Sequence, residues 1–364
     1  MKSEELDLVD QDEEDDDEDF GERITNSRQL EKYYSSGQRC IGAGYLRFIL
    51  LFFVSFWNLG NPDPTGILTA LSGFATPCFF ILSGYFVLSG DSNVRKEKTG
   101  RKIKRALIGL GLMMVLYIIL SVAVCYIQKI NITISLRVVF NFLVLNLWPL
   151  PVGTNIWFIQ AMLYAYIVIF IADKLKLMKF YKPVMVICFI IMLLSGELAG
   201  LIHFNLLGYA YIPGNWLTRA LPYILLGKLL REKKGKLLRI KFWKYLIVWL
   251  IGFVLVIAEI LALAKFGCLV YQGHMIGYAV MALAACGLAL SKPTGRESTI
   301  TYYDTAMSGI PYILMDPAYY ALGLILSNQY GSLFSAFGGL AALAVSVLLT
   351  LVFTHSRLTK HLFT

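Results

Sequence analysis

Residues Tyr45 to Tyr85, YLRFILLFFVSFWNLGNPDPTGILTALSGFATPCFFILSGY, decide how the chain is read. They form two apolar stretches joined by a short polar turn around Asn61-Pro62-Asp63-Pro64. The first carries Arg47 and, three turns on, Asn58; the second ends in Ser83-Gly84-Tyr85-Phe86. A guanidinium, an amide and a hydroxyl at membrane depth are costly, so each marks a functional-site candidate. The alternative reading is that they hydrogen-bond neighbouring helices and act as glue.

The chain has 364 residues, 57% hydrophobic and 16% charged. Soluble domains average about 45–50% apolar and about 25% charged, so this is an all-α polytopic membrane protein. The net charge of +9 sits mostly in short loops beside apolar stretches, where it sets orientation; no nucleic-acid partner is expected. The six cysteines form no CxxC pair or Cys/His cluster, so no metal site is expected.

Residues 1–38 are a separate regime. EELDLVDQDEEDDDEDFGE lacks the apolar content needed to offset chain entropy, so an acidic, disordered cytoplasmic tail is expected. Its alternatives are a solubilising extension and a dock for a basic partner. Residues 39–364 are the transmembrane domain.

Crossing hydrocarbon takes about 20 apolar residues. That requirement predicts about ten spans, near 43–61, 66–88, 105–127, 155–173, 183–202, 215–231, 244–264, 274–291, 305–327 and 332–354. The segments RKEKTGRKIKR, DKLKLMK, KLLREKKGKLLRIKFWK, KPTGR and HSRLTKH each follow an even-numbered span, whereas the alternate loops are poor in Lys and Arg. Positive residues stay inside, so both termini are expected on the cytoplasmic side. The outer segment 132–154 reads as an interfacial or re-entrant helix, with an extra full span as the competing reading.

Polar groups inside the spans are Arg47, Asn58, Ser83, Gln160, Glu197, Arg219, Glu259 and Asp316. Arg101, Lys104 and Arg105 share one helical face in the basic loop after the second span. Such a face suits phosphates; ordinary topology and anionic lipid account for it equally.

Five further features carry a resemblance. Arg47-Phe48 opens the first span, and Pro77-Cys78-Phe79-Phe80-Ile81-Leu82-Ser83-Gly84-Tyr85 ends the second, before the basic Arg101–Arg105 stretch. Then come Asn155-Ile156-Trp157-Phe158, Arg219-Ala220-Leu221-Pro222-Tyr223-Ile224-Leu225-Leu226-Gly227, and Ser308-Gly309-Ile310-Pro311-Tyr312-Ile313-Leu314-Met315-Asp316-Pro317. In this order they resemble the acyltransferase-3 family of integral membrane O-acyltransferases. The resemblance implies transfer of an acyl group, acetyl above all, from acyl-CoA to a hydroxyl of a cell-envelope glycan or lipid-linked sugar. It implies acetyl-CoA as co-substrate rather than a bound cofactor, a bacterial cytoplasmic membrane, membrane lipids as partners, and leaves room for a homo-oligomer.

Residue by residue, it implies that Arg47, Arg101, Lys102, Arg105 and Tyr85 bind the donor, and that Trp157, Gln160 and Arg219 bind substrate. The family's first-span histidine, its catalytic base, falls at Asn58, and its later His-Pro histidine falls at Asp316. An amide cannot accept the proton of a hydroxyl. The expected catalytic set is therefore Asn58 and Ser83 at the oxyanion, with Asp316 or Glu197 as the replacement base. The alternative is a family member that has lost catalysis and binds or transports a glycan, lipid or acyl donor.

Overall fold

The computed structural model describes residues 40–58, 71–131, 135–153, 155–195, 215–266, 275–291, 298, 301 and 304–355. The acidic tail and Glu197 lie outside them, as does the side chain of Asn58. Every regular element among the described residues is helical. They are α1 (Ile41–Asn58), α2 (Ala75–Val87), α3 (Ser92–Gln128), α4 (Leu136–Leu145), α5 (Ile156–Lys174), α6 (Tyr181–Ser195), α7 (Leu221–Glu232), α8 (Lys234–Leu238), α9 (Phe242–Lys265), α10 (Ile276–Ser291) and α11 (Asp304–His355). Five helical stretches are long and apolar enough to cross a membrane, and five shorter ones are apolar. Exposed leucines, isoleucines and valines cover the outer faces of α3, α6 and α9, which suits hydrocarbon rather than water.

Within segment 132–154 the described residues are 135–153. Its helix α4 has 10 residues, about 15 Å of rise, half the hydrocarbon thickness. Leu145 is the only buried residue of α4, while Leu136, Phe140 and Leu143 are exposed, as an interfacial helix requires.

Helix α11 is assigned as helical over 52 residues, yet it is not straight. The rings of Tyr319 and Phe334 are 5.0 Å apart. Fifteen residues of straight helix would separate them by about 22 Å. The chain therefore folds back on itself between Gly323 and Phe334, and the two halves pack antiparallel, as the two separate spans expected here require.

The main core cluster joins α1, α2, α5, α6, α7, α9, α10 and α11, with Phe80, Tyr166, Tyr223 and Tyr278 fully buried. Its closest helix contacts are made by glycines. A Cβ on Gly84 of α2 would lie 2.0 Å from the Ile224 carbonyl oxygen of α7, and one on Gly277 of α10 would lie 2.5 Å from the Gly252 carbonyl of α9. Lipid tails supply no hydrophobic drive between helices, so backbones must approach closely enough for dispersion to hold them.

Helix ends inside apolar surroundings need substitutes for water. The Glu259 carboxylate of α9 accepts hydrogen bonds from the backbone N–H groups of Ile276 and Gly277, both at 3.1 Å, and so caps α10. Pro317 has no N–H to offer the Ile313 carbonyl four residues earlier; the Tyr117 hydroxyl of α3 donates to that carbonyl instead, at 2.8 Å.

Candidate functional site

Helix α5 serves as a ruler for the site. At its first end Asn155 contacts Asp316, and at its last turn Asp173 contacts Arg95; eighteen residues separate them, about 27 Å, close to one hydrocarbon thickness. The Arg95 guanidinium donates from Nε to Asp173 at 2.9 Å and also from its terminal nitrogen, while Ser92 adds a bond at 3.3 Å. This pair fixes the basic end of α3 against α5.

At that basic end, three cations from three helices converge on residues Tyr85 to Ser89. Arg231 of α7 stands over the Tyr85 ring at 4.9 Å. Arg47 of α1 stands over Phe86 at 5.2 Å. Lys98 of α3 donates to the Ser89 hydroxyl at 2.7 Å, and Ser89 in turn donates to the Phe86 carbonyl. The local cause is that α2 ends here, where outgoing carbonyls and the negative pole of the helix favour positive charge. Burial, then the neighbouring charges of Arg231 and Arg101, pull the Lys98 ammonium below its usual pKa.

The structure re-sorts the cations of α3. Arg101, Lys104 and Arg105, the shared face read from sequence, are exposed, and Arg101 pairs with Glu97 at 3.1 Å on the surface. Lys96, Lys98 and Lys102 are the half-buried lysines. Lys98 and Arg231 were not among the expected donor residues. The signal that would have found Lys98 is its spacing: Arg95, Lys98 and Lys102 follow i, i+3, i+7, the face that continues from the buried Arg95.

In the middle of the bundle, Ser83 and Tyr166 share a hydrogen bond of 2.8 Å, and the Ser83 hydroxyl lies 3.8 Å from the Met162 sulfur. At the far end, Asp316 is fully buried. Its two oxygens accept separate bonds from the Asn155 backbone N–H and side-chain amide, each 3.1 Å. The Tyr312 hydroxyl donates to the Asn155 carbonyl at 3.2 Å, and Tyr320 donates to the Pro151 carbonyl. Asp316 is thus the anion at the start of α5, the same task Glu259 performs for α10. The expectation that it serves as a base meets a carboxylate already engaged through both oxygens.

Nor do Asp316 and Ser83 share one catalytic cluster. Their partners on α5, Asn155 and Tyr166, are eleven residues apart, about 16 Å along the axis.

Beside Asp316, the Arg219 guanidinium stands over the Trp157 ring at 5.3 Å. Arg219 is carried by a widened, π-helical turn (Trp216–Ala220), in which the Leu221 N–H reaches back to the Trp216 carbonyl. Pro222 follows and removes the donor that the Thr218 carbonyl would otherwise use, which accounts for the local widening. Gln160 donates to the Phe142 carbonyl at 2.7 Å and to the Tyr164 hydroxyl at 3.1 Å. Trp157, Gln160 and Arg219, expected together, are all at this far end. Among the described residues no cluster of His, Cys, Asp and Glu has metal-binding form.

With this geometry in view, the comparison with known proteins is specific. The acyltransferase-3 family, described as an acyltransferase domain, matches residues 42–354, and the chain belongs to it. No curated protein and no solved structure matches the chain.

Proposed function

We propose that the chain is a ten-span enzyme of the bacterial cytoplasmic membrane, with both termini inside. It moves an acyl group, acetyl in the simplest case, from acyl-CoA to a hydroxyl of an envelope glycan or lipid-linked sugar. The observation that carries this reading is the convergence of Arg47, Lys98 and Arg231 on Tyr85–Ser89. A polyphosphate is the anion that such a recess suits, and the Tyr85 and Phe86 rings offer apolar surface beside it. Lys102 lies alongside, and Arg101 and Arg105 form an outer rim that draws the donor in.

The acceptor hydroxyl attacks the thioester carbon, the C–S bond breaks, and the acceptor proton ends on the CoA sulfur. Asn58 is assigned to the developing oxyanion, and Ser83, three residues before the Phe86 ring that Arg47 covers, to the donor side. Asp316 is assigned to positioning: it holds the start of α5 and with it Trp157. Glu197 remains the candidate for the proton.

The test is thiol release from acetyl-CoA by purified protein in nanodiscs, run beside Asn58→His and Lys98→Ala. Turnover in the native protein that falls in Lys98→Ala supports the reading. Asn58 also favours a second reading, a family member that binds without turning over. Silence in the native protein with turnover in Asn58→His would establish that second reading.

A further inference from the structure

Helix α4 ends on Asn146, held in the left-handed conformation at φ 59°. That backbone shape favours asparagine or glycine and explains the residue type in part. It does not explain the side chain. Asn146 is 1% exposed, and neither its amide oxygen nor its amide nitrogen has a hydrogen-bond partner among the described residues. Two more amide oxygens share this condition: Oδ1 of Asn141 and Oε1 of Gln160, the latter residue also 1% exposed.

These groups belong to one place. The Leu147 N–H returns to the Asn141 carbonyl at 3.2 Å, which ties residues 141–147 into one turn. Gln160 binds that turn through the Phe142 carbonyl. The Trp148 ring packs on Phe142 at 5.3 Å and donates its N–H to the Val152 carbonyl. Buried polar groups are almost always satisfied, so a cluster of unmet amides implies a ligand that meets them.

The chemistry restricts that ligand. Three amide oxygens call for O–H or N–H donors and disfavour an anion. The Asn146 amide nitrogen supplies donors, for which a bare cation has no use. Trp148 and Phe142 supply apolar surface. Vicinal hydroxyls on a ring, polar at the edge and apolar on the face, satisfy both demands. We infer that the Asn141–Asn146–Gln160 cluster is the subsite for an uncharged sugar ring of the acceptor. The inference rests on the acyltransferase reading for the word acceptor, and on the amide cluster alone for the sugar. Trp157 lies three residues before Gln160 on the same face of α5, so this subsite adjoins the Arg219–Trp157 pair.

The experiment is saturation-transfer NMR on the full chain in nanodiscs. The probes are the methyl glycosides of glucose, N-acetylglucosamine and rhamnose, with glycerol as the open-chain control. Acetyl-CoA binding is measured in parallel. Asn146→Gly keeps the left-handed turn and removes the amide; Asn141→Ala removes the neighbouring oxygen. The expected result is saturation of at least one glycoside and not of glycerol, with affinity about tenfold weaker in each variant, as the loss of one or two hydrogen bonds predicts, and acetyl-CoA binding unchanged. Glycoside binding equal in native protein and both variants would overturn the inference. So would its absence from native protein that still binds acetyl-CoA, since the amides would then hold water alone. Glycoside binding without acetyl-CoA binding would sink the donor reading and leave this subsite standing.

Discussion

Gly84 and Gly227 are reciprocal contacts: a Cβ on Gly84 would meet the Ile224 carbonyl at 2.0 Å, and a Cβ on Gly227 would meet the Ile81 carbonyl at 2.1 Å. Each glycine lies at or next to the end of a motif through which the chain resembles its family, and each sits where the other helix's backbone passes. The pair also sets where Tyr85 and Arg231 meet, one residue after Gly84 and one turn after Gly227. Both obstacles are backbone atoms, so neither can rotate away. Gly84→Ala or Gly227→Ala should destabilise the protein by about 3 kcal/mol or more, beyond the usual cost of overpacking. Melting of each variant in detergent checks this; wild-type melting would refute the close packing.

The Arg95–Asp173 pair makes a second, independent prediction. The Asp173 side chain is 5% exposed and that of Arg95 13%, so removing one partner strands a charge in poor solvent. Arg95→Ala should cost about 3–5 kcal/mol, whereas removing both charges together should cost less. A double-mutant cycle on melting temperature measures the coupling. A double-variant loss equal to the sum of the two single losses would show that the pair is not coupled.

Much of this was legible in the sequence, and the gaps have physical causes. Apolar length separated the two halves of α11, which fold back between residues 323 and 334. The length of segment 132–154 was ambiguous, because composition alone does not tell a ten-residue interfacial helix from a span. Trp157, Gln160 and Arg219 were named through the resemblance alone, and their common place at the far end comes from the folded helices. The basic end was less legible. A helical wheel shows that Arg101, Lys104 and Arg105 share a face, but not that this face looks outward; that depends on Arg95 finding Asp173, 78 residues away. Arg231 was hidden in a long basic loop, and only the glycine contact between α2 and α7 brings it over Tyr85.

Asp316 and Glu259 yield a third prediction, which separates capping from catalysis. Both carboxylates receive backbone N–H groups at the start of another helix. Loss of a cap costs about 0.5–2 kcal/mol in water, and no water replaces it here. Asp316→Ala and Glu259→Ala should therefore lower the melting temperature in parallel. Asp316→Asn retains one acceptor and should melt between Asp316→Ala and the native protein, with thiol release reduced less than tenfold. Complete loss of turnover in Asp316→Asn at native stability would return the role of base to Asp316.

Lys98 gives the pH dependence. Its folded pKa lies below the ordinary lysine value, through burial first and then the charges of Arg231 and Arg101. The unfolded chain therefore holds the Lys98 proton to higher pH than the folded one, and stability rises with pH across the window between the two values. Donor binding runs the opposite way. A bound polyphosphate favours the protonated lysine, so affinity for acetyl-CoA should fall as Lys98 loses its proton. Lys98→Arg keeps its charge throughout and should flatten that fall, because guanidinium does not titrate below about pH 12. Titrating acetyl-CoA into both proteins across a pH series below the ordinary lysine value decides the matter. Parallel pH profiles for the two proteins would remove Lys98 from the donor site and leave Arg47 and Arg231 to hold the phosphates.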